Sequence, residues 1–231
     1  MTGLEALVRW QHPQRGMIPP DQFIPLAEET GLIIELGAWV LEEACRQLAE
    51  WKWQGISGLS VAVNLSAAQL RSPQLLDQVT ALITRHGLAP GELGIEVTES
   101  VAMDNPERAI GQLQALAEQG IELAIDDFGT GYSSLAYLKM LPIQILKLDR
   151  TFIKDLEHDE NDAAICSATL ALAHNLGLKV VAEGVESEGQ QLFLERLGCD
   201  LLQGYRFSRP LSAAALYRYL CEGDGKALVK G

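Results

Sequence analysis

Eight polar side chains fall in or just after otherwise apolar, strand-like runs: Glu5, Asn64, Glu96, the adjacent Asp126 and Asp127, Lys147, Glu183 and Gln203. One acid in a strand is more often a surface or paired residue. Seven runs that each carry an acid, amide or ammonium near the same end point to one site, because parallel α/β folds place their chemistry at the carboxyl ends of strands. Five of the eight are carboxylates, and gathered carboxylates repel by roughly 3 kcal/mol per pair at about 5 Å and an effective dielectric near 20. Protonation, salt bridges or bound cations relieve this. Lys147 and Arg9 supply only two compensating charges, whereas two divalent cations would nearly neutralise the set.

Carboxylates plus one Asn carbonyl are hard oxygen ligands, which select Mg²⁺ or Mn²⁺ over zinc. The histidines His12, His86, His158 and His174 show no HExxH or HxxxH spacing. Adjacent acids at 126 and 127 would let one carboxylate bridge two ions while its neighbour binds one. Two such ions suit in-line displacement at phosphorus. Lys147 sits in Ile-Leu-Lys-Leu-Asp and points to one side of a buried strand. It is read as an acid's partner, a Schiff-base lysine or the holder of a water. Surrounding acids would raise its pKa, which opposes Schiff-base nucleophilicity and favours the water.

The loop from Asp127 to Ser134 carries Gly129 and Gly131, which permit close backbone approach; a plain turn before a Ser-capped helix is the simpler reading. The third glycine of a dinucleotide fingerprint is missing. Gly223–Lys226 lacks the preceding strand and following Ser or Thr of a phosphate loop.

Elements able to carry this set alternate along the chain. Strands are expected at Leu4–Trp10, Leu59–Leu65, Leu93–Thr98, Ile121–Asp126, Ile145–Leu148, Lys179–Glu183 and Asp200–Gly204. Helices are expected at Gly31–Trp53, Ser72–His86 (N-capped by Ser72 before Pro73), Pro106–Gln119, Asn161–Leu176, Ser187–Leu197 and Ser212–Cys221. Gly87, Gly120, Gly177 and Gly198 follow helical stretches where left-handed caps form. Strand alternating with helix gives a parallel sheet with right-handed crossovers. Seven units without a linker fit a single TIM-like α/β barrel spanning 1–221, with a polar, flexible tail over 222–231.

The chain has 231 residues, 48% of them hydrophobic, and a net charge of −13. That balance argues against nucleic-acid backbone binding and against a polybasic membrane anchor. Four scattered cysteines (Cys45, Cys166, Cys199, Cys221), no apolar run near 20 residues and no signal-peptide pattern lead to the expectation of a cytoplasmic protein with reduced thiols.

The motifs Glu5-Ala6-Leu7-Val8-Arg9-Trp10, Val63-Asn64-Leu65-Ser66, Glu96-Val97-Thr98-Glu99-Ser100, Asp126-Asp127-Phe128-Gly129-Thr130-Gly131, Lys147-Leu148-Asp149, Ala182-Glu183-Gly184-Val185-Glu186 and Gln203-Gly204-Tyr205 resemble, in order and spacing, the EAL-domain family of cyclic di-GMP phosphodiesterases. The resemblance covers roughly positions 4–215. It implies a (β/α)₈ barrel that opens cyclic di-GMP to linear pGpG with two Mg²⁺ or Mn²⁺ ions, lowering this bacterial second messenger. By the same resemblance, Glu5, Asn64, Glu96 and Asp126 are ligands of one metal, and Asp126 and Asp127 of the other. Lys147 positions the attacking water, Glu183 supports the second metal, and Gln203 joins the water network. Leu7, Arg9, Glu186 and Pro210 contact substrate. Glu99 anchors the loop carrying Asp127, Gly129 and Gly131, which the family links to a homodimer interface. The family's amino-terminal helix and strand are expected to be missing here. Fused sensory or diguanylate-cyclase-like domains are expected as partners, and a receptor that binds cyclic di-GMP without turnover is the alternative to an enzyme.

Overall fold

The computed structural model describes residues 3–130 and 135–221. Its strands are β1 (Gly3–Ala6), β2 (Trp10–His12), β3 (Gly16–Ile18), β4 (Ser60–Asn64), β5 (Leu93–Thr98), β6 (Glu122–Phe128), β7 (Ile145–Leu148), β8 (Lys179–Ala182) and β9 (Leu201–Leu202). Seven form one sheet in the order β1-β4-β5-β6-β7-β8-β9, and every neighbouring pair is parallel. In a flat sheet, six strand spacings of ~4.8 Å would hold β1 and β9 about 29 Å apart. Yet Gln203, one residue past β9, donates to Glu5 on β1 at 2.7 Å. The sheet therefore curls until its two edges face each other, as the TIM-like reading requires. Among the described residues β1 and β9 do not pair, so the seven-unit expectation holds and the sheet stays open along one seam.

Helices cover the outer face because each has one apolar stripe. In the helix Ile33–Trp53, Leu41, Cys45 and Leu48 are fully buried, and Leu75, Val79 and Leu82 do the same for the helix Leu75–His86. The first packs on β4 and the second on the first, and both join a single core through Val61, Val63, Ile95, Leu123, Ile125 and Leu146. The capping expectations hold: Gly87, Gly120, Gly177 and Gly198 all have positive φ. Ser187 caps the helix Glu188–Arg196 in a reciprocal box with Gln190.

Several elements differ from the sequence expectation. The run Leu4–Trp10 is not one strand: β1 stops at Ala6, and Trp10 opens a separate antiparallel hairpin, β2–β3. The apolar run Ala6-Leu7-Val8, which crosses the break, hid it. A helix at Pro20–Thr30 was not expected, since Pro25 inside it masks the pattern. Ser72 does not cap its helix directly. Its hydroxyl accepts from the N–H of Gln74, and the helix begins at Leu75.

Candidate active site and metal centre

The expected residues occupy one end of the curled sheet. Glu5 lies on β1, Asn64 ends β4, Glu96 lies on β5, Asp126 and Asp127 on β6 and Lys147 on β7; Glu183 and Gln203 follow β8 and β9 by one residue. Strand alternation explains the inward set. On β5, Ile95 and Val97 turn to the helical layer while Glu96 between them faces the other way, and Lys147 does so between Leu146 and Leu148.

Lys147 is the hub. Its side chain is 2% exposed, and its Nζ lies 2.6 Å from Glu96 Oε2, 2.6 Å from Glu183 Oε1, 3.3 Å from Asp126 Oδ1 and 3.7 Å from Glu5 Oε2. Glu5 is held from both flanks, by Asn64 Nδ2 and Gln203 Nε2, each at 2.7 Å. These six contacts join residues on, or one position past, all seven strands of the sheet and cross the seam.

Burial sets the electrostatics. It pushes the Glu96 carboxyl up to about 8, against the attraction of Lys147 and with added repulsion from Glu5 and Asp126. Glu183 is pushed to about 7, again by burial first, then by Asp126 and Glu5 against Lys147. Burial works against the Lys147 ammonium, but Glu96, Glu5, Glu183 and Asp126 outweigh it and hold the group charged well above its usual range. A lysine so held is no Schiff-base nucleophile near neutral pH. One ammonium and two amide donors among this many acids leave negative charge uncompensated, and burial then favours protonation of Glu96 and Glu183.

A divalent cation fits that imbalance. Two carboxylate triads, Glu5–Glu96–Asp126 and Asp126–Asp127–Glu183, each present one oxygen apiece within 4.8 Å of one another, and Asp126 belongs to both. Asn64 donates through its nitrogen, which leaves its amide oxygen as a further hard ligand. Arg9 does not join the acids: its guanidinium reaches only the carbonyl of Val8, at 2.9 Å, among the described residues. Leu7, Glu186 and Pro210 are exposed around the same end, outside the cluster.

Two supports hold the β6 end. Asp127 has φ of 54°, the one non-glycine residue with positive φ among those described. Its N–H donates to Asp126 Oδ1 at 2.9 Å, so the strained backbone aims the neighbouring ligand. Glu99, nearly buried, accepts the N–H of Gly129 through Oε2 at 2.8 Å, while its Oε1 has no hydrogen-bond partner among the described residues. Gly131 lies outside the described residues.

Asp149 was not singled out from sequence. It is buried and accepts the N–H of Thr151 at 2.9 Å. Burial first, then Asp126 and Asp149, raise the Asp127 carboxyl above its usual range. The only sequence signal was an acid two residues after Lys147, where the strand ends.

The model of the EAL domain family matches residues 1–210. The chain belongs to the EAL-domain family. Its relatives include the bifunctional diguanylate cyclase/cyclic di-GMP phosphodiesterase MucR of Pseudomonas aeruginosa, 54% identical over 94% of this chain and 32% of that protein. Another is the cyclic di-GMP phosphodiesterase NbdA of the same organism, 50% identical over 94% of this chain and 28% of that one. This EAL domain thus spans about a third of the length of the curated relatives it matches. Among solved structures, the MucR phosphodiesterase in complex with c-di-GMP superposes with a TM-score of 0.91 at 54% identity, covering 94% of this chain and 87% of that one. The FimX EAL domain of Pseudomonas aeruginosa bound to c-di-GMP gives 0.85 at 29% identity, covering 93% and 86%. Among the described residues, no helix of this EAL domain is long and apolar enough to cross a membrane.

Proposed function

We propose that this EAL domain hydrolyses cyclic di-GMP to linear pGpG, using Mg²⁺ or Mn²⁺. The carrying observation is the buried Lys147 ammonium among four carboxylates, with Asp126 common to both acid triads. Relatives named as cyclic di-GMP phosphodiesterases, and the c-di-GMP-bound MucR structure, supply the substrate class.

Glu5, Asn64, Glu96 and Asp126 would hold one ion, and Asp126 and Asp127, supported by Glu183, the other. When bound, such ions lower the pKa of water and neutralise charge on phosphate oxygens. Lys147 donates to the attacking water and orients it, with Gln203 completing that hydrogen-bond network. The water oxygen bonds to phosphorus and a P–O3′ bond breaks, because pGpG keeps its phosphate on a 5′ oxygen. The proton lost by the water returns through solvent to the departing 3′ oxygen. Leu7, Arg9, Glu186 and Pro210 line the approach for substrate. Glu99 and Asp149 fix the turn that carries Asp127.

The test is incubation with cyclic di-GMP and Mn²⁺. Appearance of pGpG, abolished by EDTA, supports the reading; substrate bound but unchanged would make the domain a receptor. The same reading takes the domain as a homodimer, since β1 and β9 present unpaired sheet edges that a second copy can cover. Light scattering at micromolar concentration checks this, and a monomer would refute it.

A further inference from the structure

The loop after β8, from Glu183 to Ser187, carries the carboxylate that completes the triad with Asp126 and Asp127, and it is held from outside the acid cluster. Gln190, in the first turn of the helix Glu188–Arg196, is 5% exposed, and both ends of its amide are fully used. Its Oε1 accepts the N–H groups of Glu186 at 2.7 Å and Ser187 at 2.9 Å. Its Nε2 donates to the carbonyls of Ile153 at 3.0 Å and Lys154 at 3.1 Å, in the short helix Thr151–Lys154 that follows β7. Two donors on one side and two acceptors on the other fix which amide atom faces which way. One side chain thus clamps the β8 loop onto the segment that follows Lys147 and Asp149.

That segment also meets the end of β6. A Cβ on Gly184 would strike the Cβ of Arg150, and one on Gly129 would strike the ring of Phe152. Both glycines have positive φ, 69° and 97°, a backbone that other residues rarely adopt. Residues 150–154 are therefore packed directly against the stretches that bear Asp127 and Glu183. In the other triad, by contrast, Glu5, Glu96 and Asp126 all project from within strands of the sheet.

We propose that Gln190 is a positioning residue: through the helix Thr151–Lys154 it sets where Glu183 stands relative to Asp127, and so tunes the affinity of the Asp126–Asp127–Glu183 triad for a divalent cation. The inference rests on the metal-dependent phosphodiesterase reading and extends it to a side chain that bonds to no carboxylate of the cluster. Lys147 attracts the Glu183 carboxylate while Asp126 and Glu5 repel it. On a loose loop those forces would move Glu183 away from Asp126 and Asp127. Four hydrogen bonds on one buried amide hold the loop instead, and in a low dielectric they are costly to break. Groups that orient a metal's ligands from outside affect its binding nearly as much as the ligands do.

The test titrates metal-free wild type, Gln190→Glu, Gln190→Leu and Ser187→Ala with Mn²⁺ by calorimetry. It also records each melting temperature and the Mn²⁺ concentration that gives half-maximal turnover of cyclic di-GMP. Gln190→Glu keeps the size and the capping oxygen but turns a second oxygen toward the two carbonyls, while Gln190→Leu removes both halves of the clamp. In each, one ion binds as in the wild type, the other binds about tenfold more weakly, and half-maximal turnover needs about tenfold more Mn²⁺. Ser187→Ala removes the hydroxyl that accepts the Gln190 N–H at 3.0 Å and so lowers the melting temperature, yet it leaves the clamp and the wild-type Mn²⁺ affinity in place. Gln190→Glu decides the matter if the leucine variant does not fold. Two ions bound with wild-type affinity in Gln190→Glu, or a loss of Mn²⁺ affinity in Ser187→Ala equal to that of the Gln190 variants, overturns the positioning role and leaves the phosphodiesterase reading intact. A wild type that binds fewer than two ions overturns this role together with the two-ion assignment it rests on.

Discussion

The centre of the sheet and its two edges are built differently. On β5, β6 and β7 nearly every side chain is buried, including Glu96, Asp126 and Lys147. On β1 and β9 the same kind of strand is short and half exposed, and Leu7, Arg9, Tyr205 and Pro210 beyond them face solvent. Chemistry needs the first environment, where low dielectric strengthens each charge and water is excluded. Under the proposed function recognition uses the second, where a ligand of two bases would enter. Glu5 joins the two regions, since it touches Lys147 on one side and Gln203 across the seam on the other.

The largest effect is expected at the centre. Asp126→Asn removes the carboxylate common to both triads, and loss of several kcal/mol of metal-supplied stabilisation predicts a fall in kcat of about a thousandfold or more. Near wild-type turnover would mean the triads do not act together. Lys147→Ala comes next. It lowers kcat steeply with KM little changed, and in EDTA it costs roughly 3–5 kcal/mol of stability, because buried carboxylates lose their counter-charge. Denaturant melts with and without Mn²⁺ separate the two effects.

Acidity should distinguish the regions more gently. Glu96 and Glu183 have folded-state values near 8 and 7, above the ordinary 4.5, so their contribution is full below about pH 4.5 and is lost as pH rises through 7 and 8. In EDTA the melting temperature therefore falls between pH 6 and pH 8.5, by roughly 5–10 °C. Because cations compete with these protons, the stabilisation by Mn²⁺ grows over the same range. A metal-free melting temperature that stays flat would contradict the protonated acids. The smallest effect belongs to the edge: Leu7→Ala should raise KM several-fold and leave the melting temperature within about 2 °C, as at other exposed positions.

Much of this was legible because a strand that is apolar except for one acid or lysine announces both its burial and its purpose. The cluster Glu5, Asn64, Glu96, Asp126, Lys147, Glu183 and Gln203 followed from that pattern, and the structure brings it together. The break after Ala6 was hidden, since Leu7 and Val8 continue the apolar run while the chain leaves the sheet. Asp149 stood in a quoted motif without a role, because its influence on Asp127 comes from the end of a different strand, which no local spacing encodes.

The most direct test is calorimetric titration of the metal-free domain with Mn²⁺ at pH 7, alongside Asp126→Asn. The account predicts two ions per chain for the wild type, protons released as Glu96 and Glu183 ionise, and loss of both sites in the variant. Absence of Mn²⁺ binding to the wild type, or two intact sites in Asp126→Asn, would contradict it.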